Sequence, residues 1–148
     1  MRRYTFRNFH AKPQSIKNAK FSVMSENEIS KIIVDTCFRI HKKLGPGLFE
    51  SVYERILQIE LEKSGLVVER QIVIPVIWDD EEIEQGFKAD LIVNKKVIVE
   101  LKSIEKLAAV HHKQLLTYLK LTGIKLGLLV NFKENLIKDG ITLIVNNL

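Results

Sequence analysis

The chain has 148 residues, 46% apolar and 28% charged, the balance of one soluble globular domain. No stretch approaches the roughly 18 consecutive apolar residues that a membrane span needs. The single cysteine, Cys37, excludes an internal disulfide and any cysteine-rich zinc site. The net charge of +5 is concentrated at the start: Arg2, Arg3, Arg7, Lys12, Lys17 and Lys20 meet no acid within residues 1–25, whereas the other 17 basic residues face 18 acids. The folded body is therefore nearly neutral, and the overall charge is weak evidence for a DNA-binding body.

Residues 1–24 read as a flexible basic extension that adds non-specific phosphate affinity. A translation start at Met24 is the second reading of this segment, and an organellar transit peptide the third. With one cysteine and no secretory apolar region, a reducing cytoplasm is the expected compartment.

Ser25, with Glu28 three residues on, reads as a capping box. It opens a helix carrying Ile29, Ile32, Ile33, Cys37, Ile40 and Leu44 at helical spacing. Cys37 falls on that apolar stripe and reads as a small buried hydrophobe. Gly45-Pro46-Gly47 stops the helix. A second helix is expected over about 48–64, with Val52, Ile56 and Ile59 on its apolar side and Gly65 at its end. The β-branched stretch 66–78 reads as a strand with an edge or a bend at Pro75. After the acidic turn 79–82, strands are expected over 83–93 and 97–102, joined by Asn94-Lys95-Lys96. A third helix covers 109–121, the apolar run 126–132 reads as a strand buried on both faces, and 141–145 is a short last strand. The order α-α-β-β-β-α-β-β implies an α/β sandwich around a mixed sheet, with the third helix crossing between strands.

The hairpin carries the chemistry. Side chains alternate along a strand, so Ile98, Glu100 and Lys102 share one face. A three-residue loop at Asn94-Lys95-Lys96 pairs Val93 with Val97 and sets Asp90 opposite Glu100, with β-carbons about 4.5–5.5 Å apart. Two opposed carboxylates repel unless something positive lies between them, and a hard divalent cation with oxygen ligands fits. Lys102 projects from the same face, where it can steady an attacking water or a phosphate.

Asp90 followed by Glu100-x-Lys102 resembles the core of the PD-(D/E)XK nuclease superfamily, with Ala89 where the superfamily's name has Pro. Gly47-Leu48-Phe49-Glu50-Ser51-Val52-Tyr53 is similar to the GxxExxY motif of a bacterial and archaeal family within it, and Gln114-Leu115-Leu116-Thr117-Tyr118 to the Gln-x-x-x-Tyr helix of lambda-exonuclease and RecB-like members. Ile40-His41, Glu69-Arg70-Gln71, Val130-Asn131-Phe132 and Lys138-Asp139-Gly140 also resemble that family, so the likeness covers about 25–148. The resemblance implies a restriction-endonuclease-like fold and Mg²⁺-dependent phosphodiester hydrolysis, with Mn²⁺ as a substitute. Asp90, Glu100 and the backbone carbonyl of Leu101 are the implied metal ligands, and Glu50 completes the site. Glu50, Asp90, Glu100 and Lys102 form the implied catalytic set. Tyr53, His111, Gln114 and Tyr118 are the supporting or substrate-binding residues, His111 as a phosphate contact and its neighbour His112 as a solvated residue. The implied partner is nucleic acid, DNA first, and so small a domain invites a homodimer or a partner subunit. A non-catalytic nucleic-acid-binding or DNA-repair accessory module with the same fold is the alternative.

Overall fold

The computed structural model describes residues 23–83 and 86–148, so the basic extension expected over 1–24 lies outside the described residues apart from Val23 and Met24. Ser25 caps α1 (Glu26–Leu44): its hydroxyl oxygen accepts the Glu28 N–H at 3.2 Å, and its own N–H donates to Glu28 Oε2 at 2.8 Å. Ile29, Ile33, Cys37 and Ile40 form the buried stripe of this helix. Burial pushes the Cys37 thiol up to about 12, so it packs as a neutral hydrophobe. Gly45, at φ 71°, ends α1 by donating its N–H to His41 O. After the turn comes α2 (Glu50–Lys63), which buries Tyr53, Glu54, Leu57 and Leu61.

Among the described residues seven strands stand in place of the five expected. The strand anticipated over 66–78 is broken into β1 (Val68–Val73) and β2 (Val76–Trp78). Of the turn expected over 79–82, Glu81 and Glu82 belong instead to β3 (Glu81–Ile83), and β4 (Lys88–Val93) is the later part of the strand expected over 83–93. Pro75 has no N–H to continue a ladder. The β1–β4 ribbon therefore ends beside it, and β2 and β3 pair as a separate antiparallel hairpin. Asp79 and Asp80, at φ 45° and 68°, make its two-residue turn, the twist that a tight hairpin prefers. Next come β5 (Val97–Lys102), α3 (Ala109–Thr122), β6 (Leu126–Asn131) and, after a single 3-10 turn at Ile137–Gly140, β7 (Ile141–Val145).

The main sheet has the order β1-β4-β5-β6-β7, and only β5 and β6 run parallel. That one parallel pair requires a crossover, which α3 supplies. On one face α1 and α2 pack against Leu91, Val93, Val97, Val99, Leu101, Leu126, Leu128 and Val130. On the other, Leu115, Tyr118 and Leu119 of α3 pack against Ile92, Ile98 and Leu129. Between these layers all six residues of β6 are buried, as expected of a strand covered on both sides. The result is the expected α/β sandwich around a mixed sheet. No helix among the described residues is long and apolar enough to cross a membrane.

Two glycines mark close approaches of different kinds. A β-carbon at Gly127 would meet the Leu115 side chain at 3.0 Å, whereas one at Gly140 would meet the backbone oxygen of Asn131 at 2.3 Å. A side chain can shift, but the backbone carbonyl at the end of β6 cannot. Overpacking costs about 1–3 kcal/mol, so Gly140→Ala is expected at the top of that range and Gly127→Ala at the bottom. Urea denaturation of the two variants checks the order, and equal losses would contradict it.

Candidate active site

The β4–β5 ladder runs Val93–Val97, Ile92–Ile98 and Leu91–Val99, the register expected from the three-residue loop. It then stops, and side chains take over. The Asp90 N–H donates to Glu100 Oε1 at 2.9 Å, and the Leu101 N–H donates to Asp90 Oδ2 at 2.9 Å. Two carboxylates thus accept backbone N–H groups at the point where the ladder stops. β5 goes on pairing with β6 as far as Lys102–Asn131 while β4 leaves it. The parting strands open a cleft of about 350 Å³ lined by Val73, Gly86, Phe87, Lys88, Asp90, Glu100, Lys102, Gln114 and Tyr118.

Both acids hold protons more tightly than usual. Glu100, only 4% exposed, is pushed from 4.5 up to about 8, by burial first and by the charge of Asp90 second. The N–H of Asp90 and the charge of Lys102 oppose the shift. Asp90 is also raised, by burial and then by the charges of Glu54 and Glu50; the Leu101 N–H and Lys102 oppose. Burial destabilises the ionised form, and a second negative charge nearby does the same.

The end of β5 is anchored independently of the cleft. The Phe132 N–H donates to Lys102 O at 2.9 Å, and Ser103 Oγ donates to Leu48 O at 2.9 Å. Buried Asn131 accepts from Ile104 N at 3.1 Å and donates to Ile104 O at 2.8 Å. These bonds fix the chain at Lys102 and just after it, so the ammonium-bearing side chain starts from a rigid base.

Of the residues singled out in the sequence, Asp90, Glu100, Lys102, Gln114 and Tyr118 meet in the cleft. Gln114 Nε2 donates to the Tyr118 hydroxyl at 2.9 Å, and burial, with the charge of Glu100, keeps the phenol protonated. Glu50 is half-buried at the first turn of α2, where its charge suits the helix dipole. That charge reaches Asp90, though Glu50 does not line the cleft. Tyr53 is not brought to the cleft at all. It is fully buried, stacked on Phe132 at 4.2 Å, and its hydroxyl donates to Gly45 O and accepts the Leu48 N–H at 3.1 Å. It braces the turn that sets where α2 begins, and so where Glu50 stands. His111 and His112 also stay outside. His111 Nδ1 accepts the Ala108 N–H at 2.9 Å, and His112 Nδ1 lies 3.2 Å from Ala108 O, so both serve the start of α3.

Sequence reasoning missed a group behind Asp90. Glu54, 4% exposed, accepts from Arg70 Nε at 2.6 Å and from Gln71 Nε2 at 2.9 Å, and the same Gln71 amide lies 3.3 Å from Asp90 Oδ1. Gln71 adopts φ 52°, left-handed for a residue with a side chain, which costs on the order of 1 kcal/mol and persists only when its surroundings hold it. The available signal was a glutamate on the buried stripe of an amphipathic helix, between Tyr53 and Leu57.

Among the described residues no three His, Cys, Asp or Glu side chains form a metal-binding group by themselves. The donors at the cleft are oxygens only: two carboxylates and the neighbouring backbone. Such a set suits a hard divalent cation rather than a soft one. The proton that Glu100 retains up to about 8 is what such a cation would displace.

No curated protein sequence and no solved structure matches the chain. A family model described as the PD-(D/E)XK nuclease superfamily matches residues 27–144, which includes every residue of the cleft. Nucleases of this superfamily generally use divalent metal ions, and the mixed sheet with helices on both faces is consistent with its restriction-endonuclease-like fold. The match covers well over half of the chain, which therefore belongs to the PD-(D/E)XK nuclease superfamily.

Proposed function

We propose that this chain is a Mg²⁺-dependent deoxyribonuclease, with Mn²⁺ able to substitute, and that it belongs to the GxxExxY branch. The observation that carries the reading is the pair Asp90 and Glu100, two adjoining carboxyls with raised proton affinity beside Lys102 in an open cleft. Asp90, Glu100 and the Leu101 carbonyl would hold the cation, with Glu50 completing the site. The bound cation supplies a Lewis acid that lowers the pKa of water and neutralises charge developing on the phosphate. Lys102 orients the attacking water and holds positive charge beside the phosphoryl oxygens. Tyr118, its oxygen already accepting from Gln114, keeps its phenolic proton to donate to the substrate. Cys37 takes no part, being buried in the core on the other side of the sheet.

One observation favours a second reading, a nucleic-acid-binding module without turnover: outside residues 1–25 the acids outnumber the bases, 18 to 17. Cleavage of plasmid, linear duplex and single-stranded DNA, with Mg²⁺ or EDTA, separates the two. Glu100→Ala is expected to abolish metal-dependent cutting, and Lys102→Ala to lower kcat by about 10²–10³-fold while Mn²⁺ still binds. Unchanged cutting by Lys102→Ala would remove its assigned role. DNA binding without cutting by the wild type, unaffected by Glu100→Ala, would favour the second reading.

The pH dependence has a definite sign. Without divalent cation the folded chain keeps the Glu100 proton up to about 8, whereas the unfolded chain loses it near 4.5. The native state therefore binds more protons across that window, so this group makes stability fall as pH rises from about 4.5 to 8. Glu100→Gln is expected to remove that slope and, in EDTA at pH 8, to raise stability by about 1–3 kcal/mol. Thermal unfolding at pH 5 and pH 8 measures it, and a Glu100→Gln chain less stable than wild type at pH 8 would contradict the assignment.

A further inference from the structure

The row of the sheet that holds the two acids extends one strand further than the cleft. Arg70 pairs with Leu91 and Ile72 with Ala89, so Gln71 stands opposite Asp90, as Asp90 stands opposite Glu100. Adjacent residues of a regular strand point to opposite faces. Arg70 and Gln71 nevertheless both donate to one carboxylate, that of Glu54. The left-handed φ of 52° at Gln71 turns its side chain away from the regular alternation.

We propose that Gln71, oriented by Glu54, is a positioning residue that fixes the carboxylate of Asp90 for cation binding. This rests on the reading of Asp90 as a cation ligand. The side-chain amide has a donor end and an acceptor end, and only the donor end suits a carboxylate. Glu54 is held in place by Arg70 Nε at 2.6 Å and accepts one Gln71 N–H at 2.9 Å, so the amide nitrogen is turned toward the acids. The second N–H then faces Asp90 Oδ1 at 3.3 Å. Reversing the amide would set its oxygen against two carboxylates at once. With Leu101 N–H on Oδ2, each oxygen of Asp90 has one fixed donor, which defines the carboxylate plane and leaves its other lone pairs for a ligand. Glu54 acts through Gln71 and is itself buried behind it. Groups that orient a metal ligand typically matter by about 10–100-fold in affinity.

The test is a Mn²⁺ titration of the full chain by calorimetry, with thermal unfolding in EDTA beside it. Gln71→Gly is the informative variant: glycine accepts the left-handed backbone without strain, so the fold is retained while the amide is removed. Expected is Mn²⁺ affinity about 10-fold weaker or more with an unfolding temperature no lower than wild type. Glu54→Gln should weaken Mn²⁺ binding similarly, and the Glu54→Gln/Gln71→Gly double variant should be no weaker than the worse single one. Affinity of Gln71→Gly within twofold of wild type overturns the proposal. If Glu100→Ala abolishes binding in the same series, the cation site stands without it. A well-folded wild type that binds no Mn²⁺ overturns both.

Discussion

Between β4 and β5 the backbone ladder holds for three pairs and then passes to two carboxylates, with Glu100 accepting from the Asp90 backbone and Asp90 from that of Leu101. A regular antiparallel pair would bury its polar groups in carbonyl–amide bonds and leave no room between the strands. Here the side chains satisfy the N–H groups of Asp90 and Leu101 where the strands part. The cleft exists because of this exchange. It opens at the point where α2 approaches from one layer and α3 from the other, so Glu50 and Glu54 act on Asp90 from one side while Gln114 and Tyr118 line the cavity from the other.

Such an arrangement works against folding, and the rest of the molecule offsets it. Burying two neighbouring acids leaves one of them protonated across most of the physiological range, and Gln71 sits in a strained conformation beside them. The compensation is local and specific. Lys102 contributes positive charge, two backbone amides bond the carboxylates, and Arg70 neutralises the buried Glu54. Further out, the wholly buried β6 and the Tyr53–Phe132 stack hold the frame that keeps these groups in register.

What was legible in the sequence was whatever depends on periodicity and loop length. Ser25 with Glu28, the burial of Ile29 through Ile40, and the Val93–Val97 register follow from spacing alone, and the register carried Asp90 to Glu100. The hairpin of β2 and β3 is hidden in the sequence because Pro75 reads as a bend in one strand, whereas it separates two. Tyr53 shows a different limit. Helical spacing places it near the face of Glu50, but 3.6 residues per turn cannot tell whether a side chain reaches the cleft or the core beside it. The core won, since a tyrosine ring can stack on Phe132 while its hydroxyl still finds Gly45 and Leu48. His111 was claimed by the free N–H of Ala108 at the helix start. Gln71 stands within the family likeness, but its place beside Asp90 was illegible for a deeper reason: alternation assigns it the face opposite Arg70, and only its left-handed φ brings both to Glu54.

The charge pattern of the cleft bears on the order of binding. Asp90 and Glu100 line it, Glu50 and Glu54 stand behind Asp90, and the cations that line it are Lys88 and Lys102. At a pH where these acids are ionised the cavity has no positive excess to draw in a phosphodiester, and the near-neutral body adds none from a distance. On the proposed reading, a divalent cation held by the two carboxylates would cancel the negative excess at the place where the phosphate would sit. Affinity for substrate in the cleft would then be coupled to affinity for the cation, and by linkage each would strengthen the other. The raised proton affinity of Glu100 would enter the same balance, because protons would compete with such a cation for its oxygens and so oppose the substrate indirectly. On that reading the two acids at the parting strands would also set the conditions under which the cleft accepts a phosphodiester.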